Sequence, residues 1–358
     1  MATVALAGGG TAGHIEPALA VARQWMKSNP SDKCIFLGTK SGLENTLVPA
    51  AGFELRLIPK VAISRTPSAS WLRIPFDLIS SVVSSSKVVK NADVLVGFGG
   101  YVSAPAYLAA ALSRTPIVIH EANAKPGWAN RLGALFTSHL AVAHPVDQGK
   151  FSEALMAGLP LRSDVANAAV TSAAHWDKAR SDAKVRLGFP ADAPLVFIMG
   201  GSQGSVAING VVQKSVSTFN HKGISVLHSV GKLNALPALD GGYKPVAYVD
   251  AMADAYLAAD LIIARSGAVT CSEFRALGRY ALFVPLPIGN GEQFVNAASL
   301  VADGRAEVIN QKEFTAEFIA THSDRLLKSA SQAPVAGDDQ DLDAAQKIVA
   351  LTEFAIKS

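Results

Sequence analysis

The feature that most constrains this chain is a pattern written twice. Val4-Ala-Leu-Ala runs into Gly8-Gly-Gly-Thr-Ala-Gly-His14, and about 192 residues later Val196-Phe-Ile-Met runs into Gly200-Gly-Ser-Gln-Gly-Ser205. Each copy is a short apolar strand, a glycine turn and a helix start. Further apolar runs fall at residues 34–37, 55–58, 94–96, 117–120 and 140–143, and then at 195–199, 224–228, 246–248, 261–264, 281–284 and 306–308. They are short, β-branched and lack polar alternation, which is how strands covered on both faces read. Helical patterns fill the gaps, so the chain is α/β, with doubly wound parallel sheets. The natural cut lies at Gly158-Leu-Pro-Leu-Arg162. We therefore expect one domain over residues 1–162, with a first strand at 4–7, and a second over 163–340, with a helix around 173–187. A final helix near 342–356, within residues 341–358, is expected to pack back on the first domain. No low-complexity segment or short-period repeat is present.

Composition enters as a filter. A length of 358 residues fits two domains of ~150 residues each. The 49% of apolar residues can fill two cores and excludes disorder over most of the length. A formal charge of +3 is too small to argue for nucleic acid. Mean hydropathy is +0.26, so a membrane span must be tested. Residues 94–113 carry no charge over 20 positions, the minimum for a span. They also hold Gly97, Gly99, Gly100 and Pro105, so a strand, a turn and a short helix are expected instead. The two cysteines, Cys34 and Cys271, exclude a disulfide framework and a multi-cysteine zinc site, and fit a reducing compartment. No basic residue precedes the first apolar run, so that run reads as a strand rather than a secretory signal.

Gly8-x-Gly10-x-x-Gly13 matches a dinucleotide fingerprint. A nicotinamide site also needs an acid at the end of the second strand. Residues 34–39 are Cys-Ile-Phe-Leu-Gly-Thr, which supply none, and a dehydrogenase recedes. Such a turn otherwise brings backbone N–H groups to a phosphate or sugar, or is simply a capped turn. His14 stands at its mouth, where a helix N-terminus disfavours imidazolium. It reads as a neutral general base or as a packed ring. Gly200-Gly-Ser202-Gln203-Gly204 reads as a diphosphate site or a capped turn. Arg265-Ser-Gly-Ala268 leads to Glu273, whose carboxylate suits two vicinal ribose hydroxyls, or solvent. Glu292, Gln293 and Asn296 border a long polar loop. Tyr101, Asn123 and Asn130 offer neutral hydrogen bonds, a sugar vocabulary. No paired-histidine or cysteine cluster supports a metal. Residues 71–79, Trp-Leu-Arg-Ile-Pro-Phe-Asp-Leu-Ile, with Arg65, Arg73, Lys87, Lys90 and Arg114, form either a membrane-facing stretch with a basic rim or an ordinary packed helix.

Taken together, Gly9-Gly-Thr-Ala-Gly-His14 with Pro17, Gly97-Phe-Gly-Gly-Tyr-Val-Ser103, His120-Glu-Ala-Asn123, Gly200-Gly-Ser-Gln-Gly204, Arg265-Ser-Gly-Ala268 with Glu273, and Gln293 to Asn296 resemble the MurG family. These are the lipid-linked N-acetylglucosaminyltransferases of bacterial peptidoglycan synthesis. The resemblance spans nearly the whole chain. It implies a GT-B glycosyltransferase fold, two Rossmann-like domains facing a cleft. It implies inverting transfer of N-acetylglucosamine from UDP-N-acetylglucosamine to the 4-hydroxyl of undecaprenyl-diphosphate-linked N-acetylmuramyl-pentapeptide. No cofactor or metal is implied, and no nucleic acid. The enzyme would sit peripherally on the cytoplasmic side of the cell membrane.

The resemblance also distributes roles. His14 becomes the leading candidate base, with Thr11, Ala12 and Gly13 of its glycine loop on the acceptor side, and Tyr101 and Asn130 bind substrate from the first domain. Ser202 and Gln203 face the diphosphate, with Arg162 joining at the hinge. Val249 and its neighbours flank the uracil, Ala268 also binds substrate, Glu273 takes the ribose, and Glu292, Gln293 and Asn123 approach the donor sugar. Two departures matter. Ala12 stands where many members have Gly, which requires an ordinary negative φ there. Glu292 stands where Gln is common, and a carboxylate does not donate to an acetamido carbonyl. The rivals are another GT-B transferase, a UDP-N-acetylglucosamine 2-epimerase, a nucleotide-sugar sensor and, last, an NAD oxidoreductase.

Overall fold

The computed structural model describes residues 1–61, 74–287 and 291–358. The chain forms two compact units, Met1–Arg162 with Gln340–Ser358, and Ser163–Asp339. In the first unit the elements are β1 (Thr3–Ala7), α1 (Ala12–Ser28), β2 (Lys33–Gly38), α2 (Glu44–Ala50), β3 (Glu54–Leu57), α3 (Ile74–Val89), β4 (Val94–Gly97), α4 (Ser103–Ser113), β5 (Ile117–Glu121), α5 (Trp128–Gly133), β6 (Leu140–Val142) and β7 (Leu155–Met156). In the second they are α6 (Ser163–Ser172), α7 (Trp176–Arg186), β8 (Leu195–Met199), α8 (Val206–His221), β9 (Ser225–Ser229), β10 (Tyr243–Val246), α9 (Met252–Ala258), β11 (Leu261–Ala264), α10 (Ala268–Ala276), β12 (Ala281–Phe283), α11 (Glu292–Ala302), β13 (Ala306–Val308) and α12 (Ala316–Gln332). The last helix, α13 (Ala344–Lys357), belongs to the first unit.

The first sheet runs β3-β2-β1-β4-β5-β6-β7 and the second β10-β9-β8-β11-β12-β13, all pairs parallel. In each, strand order reverses at the glycine-turn strand: β1 lies between β2 and β4, and β8 between β9 and β11. A crevice at the carboxyl ends of the strands opens at such a switch point, and ligands of doubly wound sheets bind there. The unbroken apolar runs are explained by cover on both faces. β5 and β8 are buried at every position.

One core of the first unit joins β1 and β4 to α1, with Leu6, Ile15, Trp25, Phe36 and Val96 all nearly inaccessible. Helix α13 completes it with Ile348 and Val349. Burial of each such side chain contributes ~1.5–3 kcal/mol. Asp341 Oδ1 accepts from Leu159 N at 2.9 Å, tying the approach to α13 to the end of the first sheet.

The structure bears out two local readings and shifts a third. Residues 94–113 are β4, a glycine turn and α4, and no helix of the described residues is long and apolar enough to cross a membrane. The strand expected at 246–248 is β10, three residues earlier. Its Pro245 pairs opposite His228, and an edge strand is where a residue without an N–H is tolerated. The helix expected around 173–187 is α7, and a separate helix, α6, precedes it. They are separated at His175, whose ψ of 58° is not helical.

Helix α3 turns its amphipathicity outward. Ser81, Ser85 and Val89 face inward and small, letting the helix pack closely on α4, while Phe76, Ile79 and Val83 are 74%, 62% and 56% exposed. Spacings of three and four place these three on one stripe, which Lys87 extends. Residues 71–73, Arg65 and Arg73, which belong to the same expectation, lie outside the described residues.

Candidate functional site

In the first unit the site is built from loops at the carboxyl ends of β1, β2, β4 and β5. Thr11 is the N-cap of α1, but its side chain makes no capping bond and no acid occupies the first turn. The start of α1 therefore presents backbone donors and a positive dipole end. Ala12 opens the helix, and its φ is not positive. Arg114 is the sole non-glycine residue with positive φ among those described, so the methyl of Ala12 is accommodated. Gly13 and His14 follow, both half-buried.

The His14 ring lies against the turn after β4. A Cβ at Gly99 would sit 3.4 Å from its Cε1, and one at Gly100 3.1 Å from its Cδ2. Both glycines have φ above +75° and so are required twice, by conformation and by space. Ser103 Oγ is 2.8 Å from both Ala7 O and Gly99 O, which locks this turn to the end of β1.

Two buried carboxylates hold these loops, and sequence reasoning gave neither a role. Glu44, fully buried, accepts from Gly10 N at 3.0 Å, Thr39 N at 2.9 Å, Thr39 Oγ1 at 3.1 Å and Tyr101 Oη at 3.2 Å. Burial pushes the Tyr101 phenol up, and the Glu44 charge adds to this, while the Thr39 hydrogen bond opposes it. Glu121, 2% exposed, accepts from Asn123 N at 2.9 Å, Asn123 Nδ2 at 3.1 Å, Gly127 N at 2.8 Å and Asn130 Nδ2 at 3.0 Å. Asn130 also donates to His120 O and accepts from Tyr107 Oη at 2.7 Å. It is 2% exposed, so it stands behind Asn123 as a brace rather than facing solvent. The signal available for Glu44 was an acid just past the second strand. It opens α2 and turns inward, five residues past the strand-end position that a ribose ligand would occupy.

In the second unit the turn after β8 has Gly201 at φ +93° and Gly204 at φ +75°. Ser202 is half-buried and Gln203 exposed. Ser205 caps α8 by accepting from Ile208 N at 3.4 Å. Arg265, 9% exposed, donates to Ser205 Oγ at 2.9 Å, Gln311 Oε1 at 2.6 Å, Val284 O at 2.7 Å and Pro285 O at 3.0 Å. A buried guanidinium held by neutral acceptors keeps its charge uncancelled at the start of α8. Burial lowers its pKa below the usual guanidinium range, the direction expected for a charge surrounded by neutral groups.

Ala268 opens α10 after Gly267, whose backbone is extended. Glu273 is 2% exposed and its Oε2 accepts from Tyr256 Oη at 2.9 Å. Val249 is buried in the loop before α9. Glu292 is the first residue of α11, and Gln293 Oε1 accepts from Leu286 N at 2.9 Å, closing the loop after β12. Arg162 is the half-buried last residue of the first unit's main segment. Thus Thr11, Ala12, Gly13, His14, Tyr101, Asn123 and Asn130 gather on the first sheet. Ser202, Gln203, Val249, Ala268, Glu273, Glu292 and Gln293 gather on the second. Among the described residues no group of three or more metal-ligating side chains occurs.

Two buried histidines make stability pH-dependent. His120 donates from Nε2 to Gly158 O at 2.8 Å, and Nδ1 has no partner among the described residues. His228 lies between Tyr243 Oη at 2.8 Å and Asn209 Oδ1 at 3.1 Å. Burial lowers both from 6.5 to about 4, with the carbonyl of Gly158 opposing and His144 assisting at His120. The folded state thus binds fewer protons than the unfolded chain below pH 6.5. Stability is full above pH 6.5 and falls, by up to ~3 kcal/mol per histidine, as pH drops to about 4. We expect the melting temperature to fall steeply across that window. His228→Gln should flatten the slope, and a slope unchanged in that variant would remove His228 from the account.

The chain matches the glycosyltransferase family 28 N-terminal domain over residues 4–142 and the glycosyltransferase family 28 C-terminal domain over residues 195–350. The UDP-N-acetylglucosamine--N-acetylmuramyl-(pentapeptide) pyrophosphoryl-undecaprenol N-acetylglucosamine transferase of Thermobifida fusca (strain YX) is 43% identical, covering 97% of this chain and 94% of its own. The protein of the same description from Corynebacterium glutamicum (strain R) is 45% identical, covering 88% and 86%. Among solved structures, Acinetobacter baumannii MurG is similar with a TM-score of 0.68 at 26% identity, covering 99% of this chain and 100% of that one.

Proposed function

Since the chain belongs to glycosyltransferase family 28, with a GT-B fold, we infer that it is the inverting hexosyltransferase moving N-acetylglucosamine from UDP-N-acetylglucosamine to the 4-hydroxyl of undecaprenyl-diphosphate-linked N-acetylmuramyl-pentapeptide. Its place is in peptidoglycan synthesis, and so in cell-wall growth, cell shape and division. The observation that carries this reading is a glycine turn at the switch point of each of two parallel sheets, one turn for each substrate.

We propose that the acceptor is taken by the first unit and the donor by the second. His14 removes the proton of the acceptor hydroxyl as its oxygen bonds to C1 of N-acetylglucosamine. The bond from C1 to the diphosphate oxygen breaks, and UDP leaves with the electron pair. Attack opposite the leaving group inverts the anomeric centre. Charge developing on the diphosphate is met by the N–H groups at the start of α8, by Ser202 and Gln203, and by the fixed charge of Arg265 behind them. Arg162 adds to that side. Glu273 accepts from the ribose hydroxyls, and Val249 and Ala268 border the base. Asn123, Glu292 and Gln293 approach the transferred sugar. Glu292 acts there as an acceptor of sugar hydroxyl protons. Asn130 orients Asn123 through Glu121. The chemistry proposed uses no metal and no cofactor.

The test is transfer of label from UDP-N-acetylglucosamine to a short-chain muramyl-pentapeptide lipid diphosphate with EDTA present. Label in the lipid product is expected. UDP-sugar binding without transfer to that lipid would overturn the acceptor assignment.

We propose further that the enzyme is peripheral on the cytoplasmic face of the membrane, where the soluble donor meets a lipid-borne acceptor. The exposed stripe Phe76, Ile79 and Val83 with Lys87 supports this, because an apolar face beside a cation suits an anionic bilayer. Replacing Phe76 and Ile79 together by Ser should lower partitioning onto anionic vesicles at least tenfold, each side chain contributing ~1.5–3 kcal/mol if immersed. Undiminished co-sedimentation would place the membrane contact elsewhere.

A further inference from the structure

We propose that Glu44 is a positioning residue that fixes the polarity of Tyr101, so that Tyr101 reads a hydrogen-bond donor on the acceptor substrate, a hydroxyl or amide N–H. This rests on the reading of the first unit as the acceptor side. Glu44 links three loops: Gly10 of the turn before His14, Thr39 at the end of β2, and Tyr101 of the turn after β4.

Both carboxylate oxygens face backbone N–H groups, Oε2 from Gly10 and Oε1 from Thr39, and a backbone N–H only donates. A carboxylate only accepts, so the hydroxyls around it must point their protons inward. Thr39 Oγ1 donates to Oε1 at 3.1 Å. Tyr101 Oη has one proton, and its neighbours are Thr39 Oγ1 at 2.9 Å and Glu44 Oε1 at 3.2 Å. Between the two hydroxyls either can donate, but the carboxylate only accepts, and it takes the phenol proton at Oε1. What Tyr101 offers the substrate is oxygen lone pairs. It therefore selects a donor group and does not serve as an acid.

The same carboxylate holds the turn that places His14. Gly10 has φ +94°, and a Cβ there would lie 2.7 Å from Tyr101 Cε1, so the turn, the ring and Glu44 form one packed unit. The side chain is enclosed further by Gly9, Gly38 and Gly42, at each of which a Cβ would press on it.

Glutamine at position 44 has one oxygen where two are needed. Its amide must face either Gly10 N–H or the Thr39 and Tyr101 side, breaking one bond or turning the phenol proton outward. We expect Glu44→Gln to lower kcat/KM for the acceptor ~10–100-fold with the donor KM within twofold. A merely structural loss would reduce the active fraction and leave both KM values in place. Tyr101→Phe should lower acceptor affinity ~10-fold, and the double variant should be no worse than Glu44→Gln alone, since the two act as one unit. Additive effects, or a donor KM that rises with the acceptor KM, would overturn the inference.

A second measurement does not depend on the Glu44 variant folding. Donors on the acceptor are removed one at a time by deoxygenation or N-methylation. One such change should weaken the wild type ~10-fold and leave Tyr101→Phe unaffected. If no change is silent in Tyr101→Phe, Tyr101 reads no donor. Absence of transfer by the wild type to the unmodified acceptor would instead sink the transferase reading, and this inference with it.

Discussion

His14→Ala is expected to lower kcat by ~10²–10⁴, the range for losing a general base, while the KM for UDP-N-acetylglucosamine should move by less than a few-fold. The position argues for this. His14 is the third residue of α1, in the first turn of a helix whose N-cap side chain caps nothing. Its ring rests on Gly99 and Gly100, which are glycines by both conformation and space. Two more residues, Ser103 and Glu44, hold the surrounding turns from behind. A ring set against the turn after β4, at the carboxyl edge of a parallel sheet, stands where a base is needed on this reading. The donor, on our reading, is bound by the other unit, so its KM should be nearly indifferent. His14→Gln keeps a polar side chain and should be nearly as slow as Ala, because an amide does not take up a proton. Steady-state kinetics on both variants would decide. Turnover within a few-fold of the wild type would reduce His14 to a packing residue.

The fold was largely legible in the sequence because parallel strands announce themselves. Runs such as Leu195–Met199 are apolar at every position, and no other common element reads that way at that length. The edges were less legible. β10 contains Lys244 and Pro245, tolerated only because one side of the strand is unpaired, and β7 is two exposed residues. The site was legible where glycine is demanded by φ, as at Gly10, Gly99 and Gly204. It was illegible where a side chain works from within. Glu44 and Glu121 look like surface acids in sequence, since Glu is seldom fully buried. They are buried because backbone N–H groups at loop ends need acceptors, and one carboxylate satisfies several at once. Asn130 shows the converse. Its residue type suits a sugar, but Tyr107, His120 and Glu121 occupy its amide. Such partners are set by packing between distant segments, which spacing along the chain does not encode.

Glu273→Ala is expected to raise the KM for the UDP-sugar ~10–100-fold and to change kcat little. The carboxylate is buried in α10 at the carboxyl end of β11, with Tyr256 donating to Oε2. A carboxylate has about four acceptor sites, enough to receive two vicinal ribose hydroxyls beside Tyr256. A hydrogen bond to a charged group contributes ~1.5–3 kcal/mol, and losing such a bond accounts for the expected range. The effect should be on ground-state and transition-state binding alike, since the ribose is remote from the breaking bond, and so should appear in KM. Glu273→Gln retains an acceptor for Tyr256 but not the charge, and should fall between the wild type and Ala. The decisive comparison uses a 2′-deoxyuridine donor. The wild type should lose about as much affinity with that donor as with the alanine substitution, and Glu273→Ala should discriminate no further. If Glu273→Ala still prefers the ribose donor as strongly as the wild type does, the 2′-hydroxyl is read by another residue. Glu273 would then act only through Tyr256, as a brace for the helix that opens at Ala268.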